Sequence, residues 1–185
     1  MATILPFDEI NRLEVSIRER YGAEKLKRSD YEDIIDELLD LFLLAYARAN
    51  EVTNMNLESD WIPSIEDVMR IVDERVKDKT WRERVKEYSE NSGSVDDIVR
   101  IIETESHRIA NESALDTAKK AGAKTKTWAT MLDDRVRETH DYLEGVTVKI
   151  NEDFYTYDGD SASAPGMFTL ASNNVNCRCE LVFGK

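Results

Sequence analysis

The chain has little cysteine: two residues in 185, Cys177 and Cys179, one residue apart near the C-terminus. It also lacks the marks of export. The opening "MATILPFDEI" has no basic region and no long apolar run, so it does not read as a secretory signal. With few cysteines and no export signal, a reducing compartment is the default expectation. No apolar run approaches the ~20 residues that span a bilayer. The longest candidate, "LLDLFLLAYA", is flanked by acids in a helical pattern. Positive charge is in deficit: 25 Lys and Arg stand against 38 Asp and Glu, a net charge of −13. That balance argues against direct nucleic-acid binding through a bare phosphate-binding surface. Internal repeats, low-complexity tracts, Gly-rich phosphate loops, H-E-x-x-H and G-x-S-x-G are also absent from the sequence.

What is present is a globular composition, 41% hydrophobic and 34% charged. Its acidity reads first as a solvated face. Nearly everything before residue 122 has helical spacing. Phe7, Ile10, Leu13, Ile17 and Tyr21 form one stripe that stops at Gly22. A second helix is expected from a capping box at Ser29 and Glu32 to Asn50, followed by a polar link over 51–63. A third runs from Ser64 with Ile65, Val68, Val72 and Val76 on one face. A fourth starts at Thr80 with Glu83 as its reciprocal cap and is broken by "NSG". The longest is capped by Ser94 and stopped by Gly122.

The pattern changes at Lys124. "KTKTWATML" alternates like a strand, with Trp128, Thr130 and Leu132 on one side. "DDRVRETHDYLEG" reads as a short helix that places Val136, His140 and Leu143 on one inward face. "VTVKI" and "CELVF" read as strands, separated by a loop rich in Gly, Ser, Asp and Asn. The fold class expected is α+β: a helical region over 1–93, then a small unit over 94–185 combining the long helix with a short antiparallel sheet.

The terminal cysteines raise the chemical question. On a strand, residues i and i+2 share a face, so Cys177 and Cys179 would present two sulfurs together with Arg178 opposite. A disulfide across so small a ring would be strained. Two neighbouring thiolates suit a thiophilic metal, although zinc sites usually space their cysteines further apart. Buried as small hydrophobes, they would equally serve a core. His140 either joins them or is a satisfied core histidine. Asp133, Asp134 and His107 are the candidates for a fourth ligand, in that order. A Cys–His pair oriented by Asp134 or Asp141 would instead supply a nucleophile. Glu105, Arg108 and Glu112 fall at i, i+3 and i+4, forming an ion-pair ladder that either lies on the surface or braces the two halves.

Taken together, "TESHR", "KTW", "DDRVRETHDYLEG", "PG" and "NCRC" resemble the phage Mu F-like head morphogenesis family, the minor head proteins of tailed phages and prophages. The resemblance covers about residues 95–185. It is carried by Thr104, Glu105, Arg108, Gly122, Lys126, Trp128, Asp133, Arg135, Arg137, His140, Leu143, Gly145, Phe154, Pro165, Gly166, Asn176, Cys177, Arg178 and Cys179. It implies a non-enzymatic minor capsid component of the virion, in the capsid interior or at the portal and in the host cytoplasm during assembly. Its implied partners are the phage portal protein, other head proteins and further copies of itself, with no membrane. Within these 185 residues no fused toxin or nuclease is expected. The resemblance also raises the metal reading, a structural zinc on His140, Cys177 and Cys179, against no cofactor at all. The alternative function is a metal- or Cys/His-dependent hydrolase or nuclease using His140 with Cys177, Cys179 or Asp134.

Overall fold

The computed structural model describes residues 3–22, 26–91 and 94–185. Five helices come first. They are α1 (Phe7–Tyr21), α2 (Arg28–Leu57), α3 (Ile65–Val72), α4 (Trp81–Glu90) and α5 (Val95–Lys120). A three-stranded antiparallel sheet follows, in the order β2 (Thr147–Lys149), β1 (Thr125–Ala129), β5 (Glu180–Gly184). A helical turn, α6 (Glu138–Asp141), lies between β1 and β2. The segment between β2 and β5 carries the hairpin β3 (Phe154–Tyr155) and β4 (Ser161–Ala162), then the turn α7 (Ala171–Asn174). The α+β class read from the periodicities is the class observed.

The helix starts follow local chemistry. Ser64, Thr80 and Ser94 each cap a helix and exchange hydrogen bonds with an acid three residues on: Asp67, Glu83 and Asp97. The start of α2 corrects the sequence reading. The helix begins at Arg28, and it is Asp30, not Glu32, that accepts from the Lys27 N–H at 2.7 Å. The end of α2 is a second correction. The expected link over 51–63 is helical as far as Leu57, because Val52, Thr53 and Leu57 are buried. Asn54 then closes the turn by donating to the Trp61 carbonyl at 2.8 Å. α3 is shorter than expected: it ends at Val72, with Val76 in a bridge to Lys79 and Ile65 exposed. Of the "NSG" break, Ser92 and Gly93 lie outside the described residues; Asn91 caps the C-terminus of α4.

α2 and α5 form the spine. Ala45 and Ala49 of α2 and Ala110 and Ala114 of α5 are all fully buried in one cluster with Ile4 and Leu5. Small side chains allow the helices to approach closely. Ser113 donates to the Tyr46 carbonyl at 3.0 Å, and Asn50 to the Thr117 hydroxyl at 2.9 Å. One apolar core lies between α1, α2, α3, α4 and the first half of α5, around Phe42, Trp81 and Ile98. A second lies under the sheet, around Trp128, Phe154 and Phe168, and Leu115 of α5 reaches into it. The long helix therefore belongs to both cores.

The middle of α5 is buried on every side, including its charges. Arg108 is 2% exposed. Its guanidinium donates to Glu105 at 2.9 Å, Glu112 at 2.7 Å, Glu74 at 3.0 Å and the Ile71 carbonyl at 2.9 Å. Arg84 of α4 also binds Glu105. The ladder is thus a brace that holds α3 and α4 to α5. Burial drives the Glu105 carboxyl upward, but the Arg108 and Arg84 guanidiniums outweigh it and hold the carboxyl below its usual value. Glu112 is pushed up to about 8 by burial, with the neighbouring Glu74 adding to the shift against Arg108.

Arg108→Ala should cost roughly 3–5 kcal/mol, because it removes the buried cation that Glu105 and Glu112 share. Arg108→Lys should recover little, since one ammonium cannot span four acceptors on three sides. Chemical denaturation of the two variants checks both.

Candidate metal centre

β1 enters the small unit with Lys126 and Trp128 facing inward. The strand ends at Ala129, not at Leu132. Leu132 is exposed and takes a positive φ of 53°, so the expected continuation through Thr130 and Leu132 does not form. Residues 133–137 are a turn, not the first half of a helix; only Glu138–Asp141 is helical. The physical reason is the fate of Asp133. Instead of capping a helix, it accepts the Arg135 N–H at 3.1 Å and a two-pronged ion pair from Arg178 at 2.6 and 2.8 Å. The Arg178 guanidinium lowers the Asp133 carboxyl to about 2.

Three residues of the Asp-x-Arg-x-Arg-x-x-His run, Asp133, Arg137 and His140, have partners in or just before the Asn-Cys-Arg-Cys run. Asp133 holds Arg178. Arg137 donates to the carbonyls of Ser172 and Val175, not to an acid. The Nδ1 of His140 lies 3.5 Å from the sulfur of Cys177 and 3.5 Å from the sulfur of Cys179. Arg135 is exposed and lines the cleft alongside. Asn176 supplies the reversal before the first cysteine: it takes a left-handed φ of 57°, which Asn tolerates better than most side chains. The cysteines therefore sit just ahead of β5, not on it as expected.

His140, Cys177 and Cys179 are all buried, and their ligand atoms lie within 4.8 Å of one another. Asp133, Asp134 and His107 do not join this group among the described residues. Asp134 is exposed. His107 lies behind the site: its Nε2–H donates to the Cys179 carbonyl at 2.8 Å, and Asn111 donates to the same carbonyl at 3.2 Å. Burial lowers the His107 pKa, so its imidazole is neutral. His140 is packed against the ring of Phe168, stacked at 5.4 Å, and the edge of Trp128 at 5.3 Å. Burial raises the Cys177 thiol, but hydrogen bonds from the Cys179 side chain and main chain outweigh it and the net shift is down. The Cys179 thiol is pushed up, first by Cys177 and then by burial.

The other motif residues are scaffold. Gly145 turns the chain with φ 72° and donates to the Trp128 carbonyl at 3.0 Å. Gly166, with φ 85°, lies against α5: a Cβ there would stand 3.1 Å from both the Arg108 Cα and the His107 Nδ1. Lys126 is buried, donates to the Ser163 carbonyl at 2.7 Å and is lowered to about 8 by burial. Thr104 stands next to Glu105 on α5, with its hydroxyl buried and unpartnered among the described residues.

Sequence reasoning missed Asp160. Its carboxylate accepts from the main chain of Ser161, Thr169 and Leu170 and from the side chains of Thr169 and Asn173, at 2.6–3.1 Å. Asn173 in turn accepts from Thr139 beside His140. One buried acid thus organises the loop that walls the site. In the sequence it is one acid among 38, and its setting in "DGDSASAPG" reads as a turn.

A model of the phage Mu protein F like family matches residues 49–182. The chain belongs to that family. The matched span reaches back into α2, well before the motifs that carry the resemblance. Over 83 residues, 43% of this chain and 27% of the other, it is 34% identical to minor head protein GP7 of Bacillus phage SPP1. Over 97 residues, 50% of this chain and 20% of the other, it is 36% identical to NAD(+)--arginine ADP-ribosyltransferase EFV of Enterococcus faecalis. The chain spans about a fifth to a quarter of these relatives. No solved structure matches it.

Asp160 titrates below its usual 3.8, at about 2, because its hydrogen-bond donors outweigh the opposing effect of burial. A depressed carboxyl stabilises fully above its unfolded pKa and loses that contribution as pH falls through the folded value. Asp160→Asn should therefore cost roughly 2 kcal/mol near neutral pH. The gap between variant and wild type should close as pH falls from 3.8 toward 2, read by denaturation at each pH.

Proposed function

We propose that this protein is a non-enzymatic minor head protein that associates with the portal during assembly of a tailed-phage head. Membership of the phage Mu protein F like family carries the reading, and the likeness to a protein named as a minor head protein supports it. Its place would be the virion, after assembly in the host cytoplasm with other head proteins. None of the described helices is long and apolar enough to cross a membrane.

The geometry favours this reading over a hydrolase or nuclease. A Cys–His dyad must offer both groups to substrate. His140 is 1% exposed and is walled by aromatic rings. The adjoining cleft of about 930 Å³ is lined by Cys177 but not by His140. The cavity that His140 does share with both cysteines holds about 10 Å³, room for no substrate. The small unit instead has the organisation of a staple. Two short motifs interlock through an ion pair, carbonyl clamps and a buried cluster, which suits a module that must keep its shape while bound to larger partners.

Co-expression with a portal protein from the same phage or prophage should yield a complex that survives size-exclusion chromatography. Purified protein should show no hydrolysis of NAD, nucleic acid or esters. Elution apart from the portal at micromolar concentrations would count against the assembly reading, and turnover that disappears in His140→Ala would favour the enzyme.

A further inference from the structure

We infer that His140, Cys177 and Cys179 hold one zinc ion, with water as its fourth ligand. The spacing of the donors is the first observation. Zinc bonds of ~2.3 Å to sulfur and ~2.0–2.1 Å to nitrogen, at a tetrahedral angle, place nitrogen and sulfur about 3.6 Å apart. The His140 Nδ1 lies 3.5 Å from each sulfur. All three donor atoms fall within the 4.8 Å span that one ion can bridge.

Space is the second observation. The cavity that all three ligands line has a volume of about 10 Å³. That is close to the ~10–15 Å³ that admits one water-sized sphere. Met131, Arg135, Val136 and Arg137 close its other side, so the fourth position faces a pocket with room for a single water.

The third is charge. A dication and two thiolates sum to zero, the charge that a buried site tolerates best. As zinc binds, each thiol gives up its proton to solvent and its sulfur forms a bond to the metal. The soft S₂N donor set suits zinc better than calcium, magnesium or manganese, which prefer oxygen ligands.

The surroundings hold the ligands in place. The Cys179 carbonyl is fixed by His107 and Asn111 from α5. The loop between the two cysteines is anchored by the Arg178–Asp133 pair. Phe168 and Trp128 set the plane of the His140 ring. The ion would tie the α6 turn to the segment entering β5, across a separation of 37 to 39 residues.

The test uses the full chain. Elemental analysis of the purified protein should find about one zinc per chain. Cobalt substitution should give a thiolate-to-cobalt charge-transfer band and the strong visible bands of a four-coordinate site. A chelator should lower the Tm by several degrees, and added zinc should restore it. Cys177→Ser with Cys179→Ser should lose the metal. Because that variant can also fail to fold, His140→Cys is the companion: it should keep the ion in an all-sulfur set. Protein free of zinc, with no charge-transfer band on cobalt addition and a Tm that neither zinc nor chelator moves, overturns the site. Stoichiometric copper or iron in place of zinc overturns the identity of the ion.

Discussion

The middle of helix α5 is buried on every side, and a helix so placed depends on internal partners for most of the polar groups that it carries. Ser113 and Thr117 meet this constraint on α2, and Arg108 meets it at the end of α3 and just beyond, through the Ile71 carbonyl and Glu74. Glu105 meets it on α4, through Arg84. His107 and Asn111 meet it at the other end of the molecule, on the Cys179 carbonyl just ahead of β5. One helix therefore sets the position of the helical layer on one side and of the small sheet on the other. Gly166 completes the arrangement, because its backbone lies where any side chain would strike α5.

The small unit could not rely on apolar burial alone. Its strands are two to five residues long, and its aromatic core is confined to Trp128, Phe154 and Phe168 with their neighbours. Polar fastenings replace the missing area. Asp160 gathers the long loop, Arg137 clamps two carbonyls, and Asp133 pairs with Arg178. The convergence of His140, Cys177 and Cys179 occupies the same region and ties the same two segments. In the assembly role proposed for it, such fastening would let the shape offered to a partner survive without a large core.

Much of this was legible along the chain. Ser64, Thr80 and Ser94 marked true helix starts because a capping box is a local interaction of four residues. The change of period near Lys124 marked the first strand. The misreadings came where distant contacts overrode local pattern. α2 runs past Asn50 because Val52, Thr53 and Leu57 find cover. The Asp-x-Arg-x-Arg segment is a turn because Asp133 is committed to Arg178, 45 residues away. Leu132 is apolar and yet exposed, because β1 pairs only as far as Ala129.

The sequence by itself determined the order of the five long helices and the three strands of the main sheet, the α+β class and the residues of the two interlocking motifs, because capping, periodicity and turn chemistry act over a few residues; it missed β3, β4 and α7, which lie in the segment read as a loop. Tertiary structure alone decided what those motifs do. Only folding could place the His140 Nδ1 at 3.5 Å from both sulfurs, assign His107 to a carbonyl and bury the Glu105–Arg108–Glu112 ladder. Those outcomes depend on which surface each helix face meets, and a one-dimensional pattern marks a face without naming what covers it.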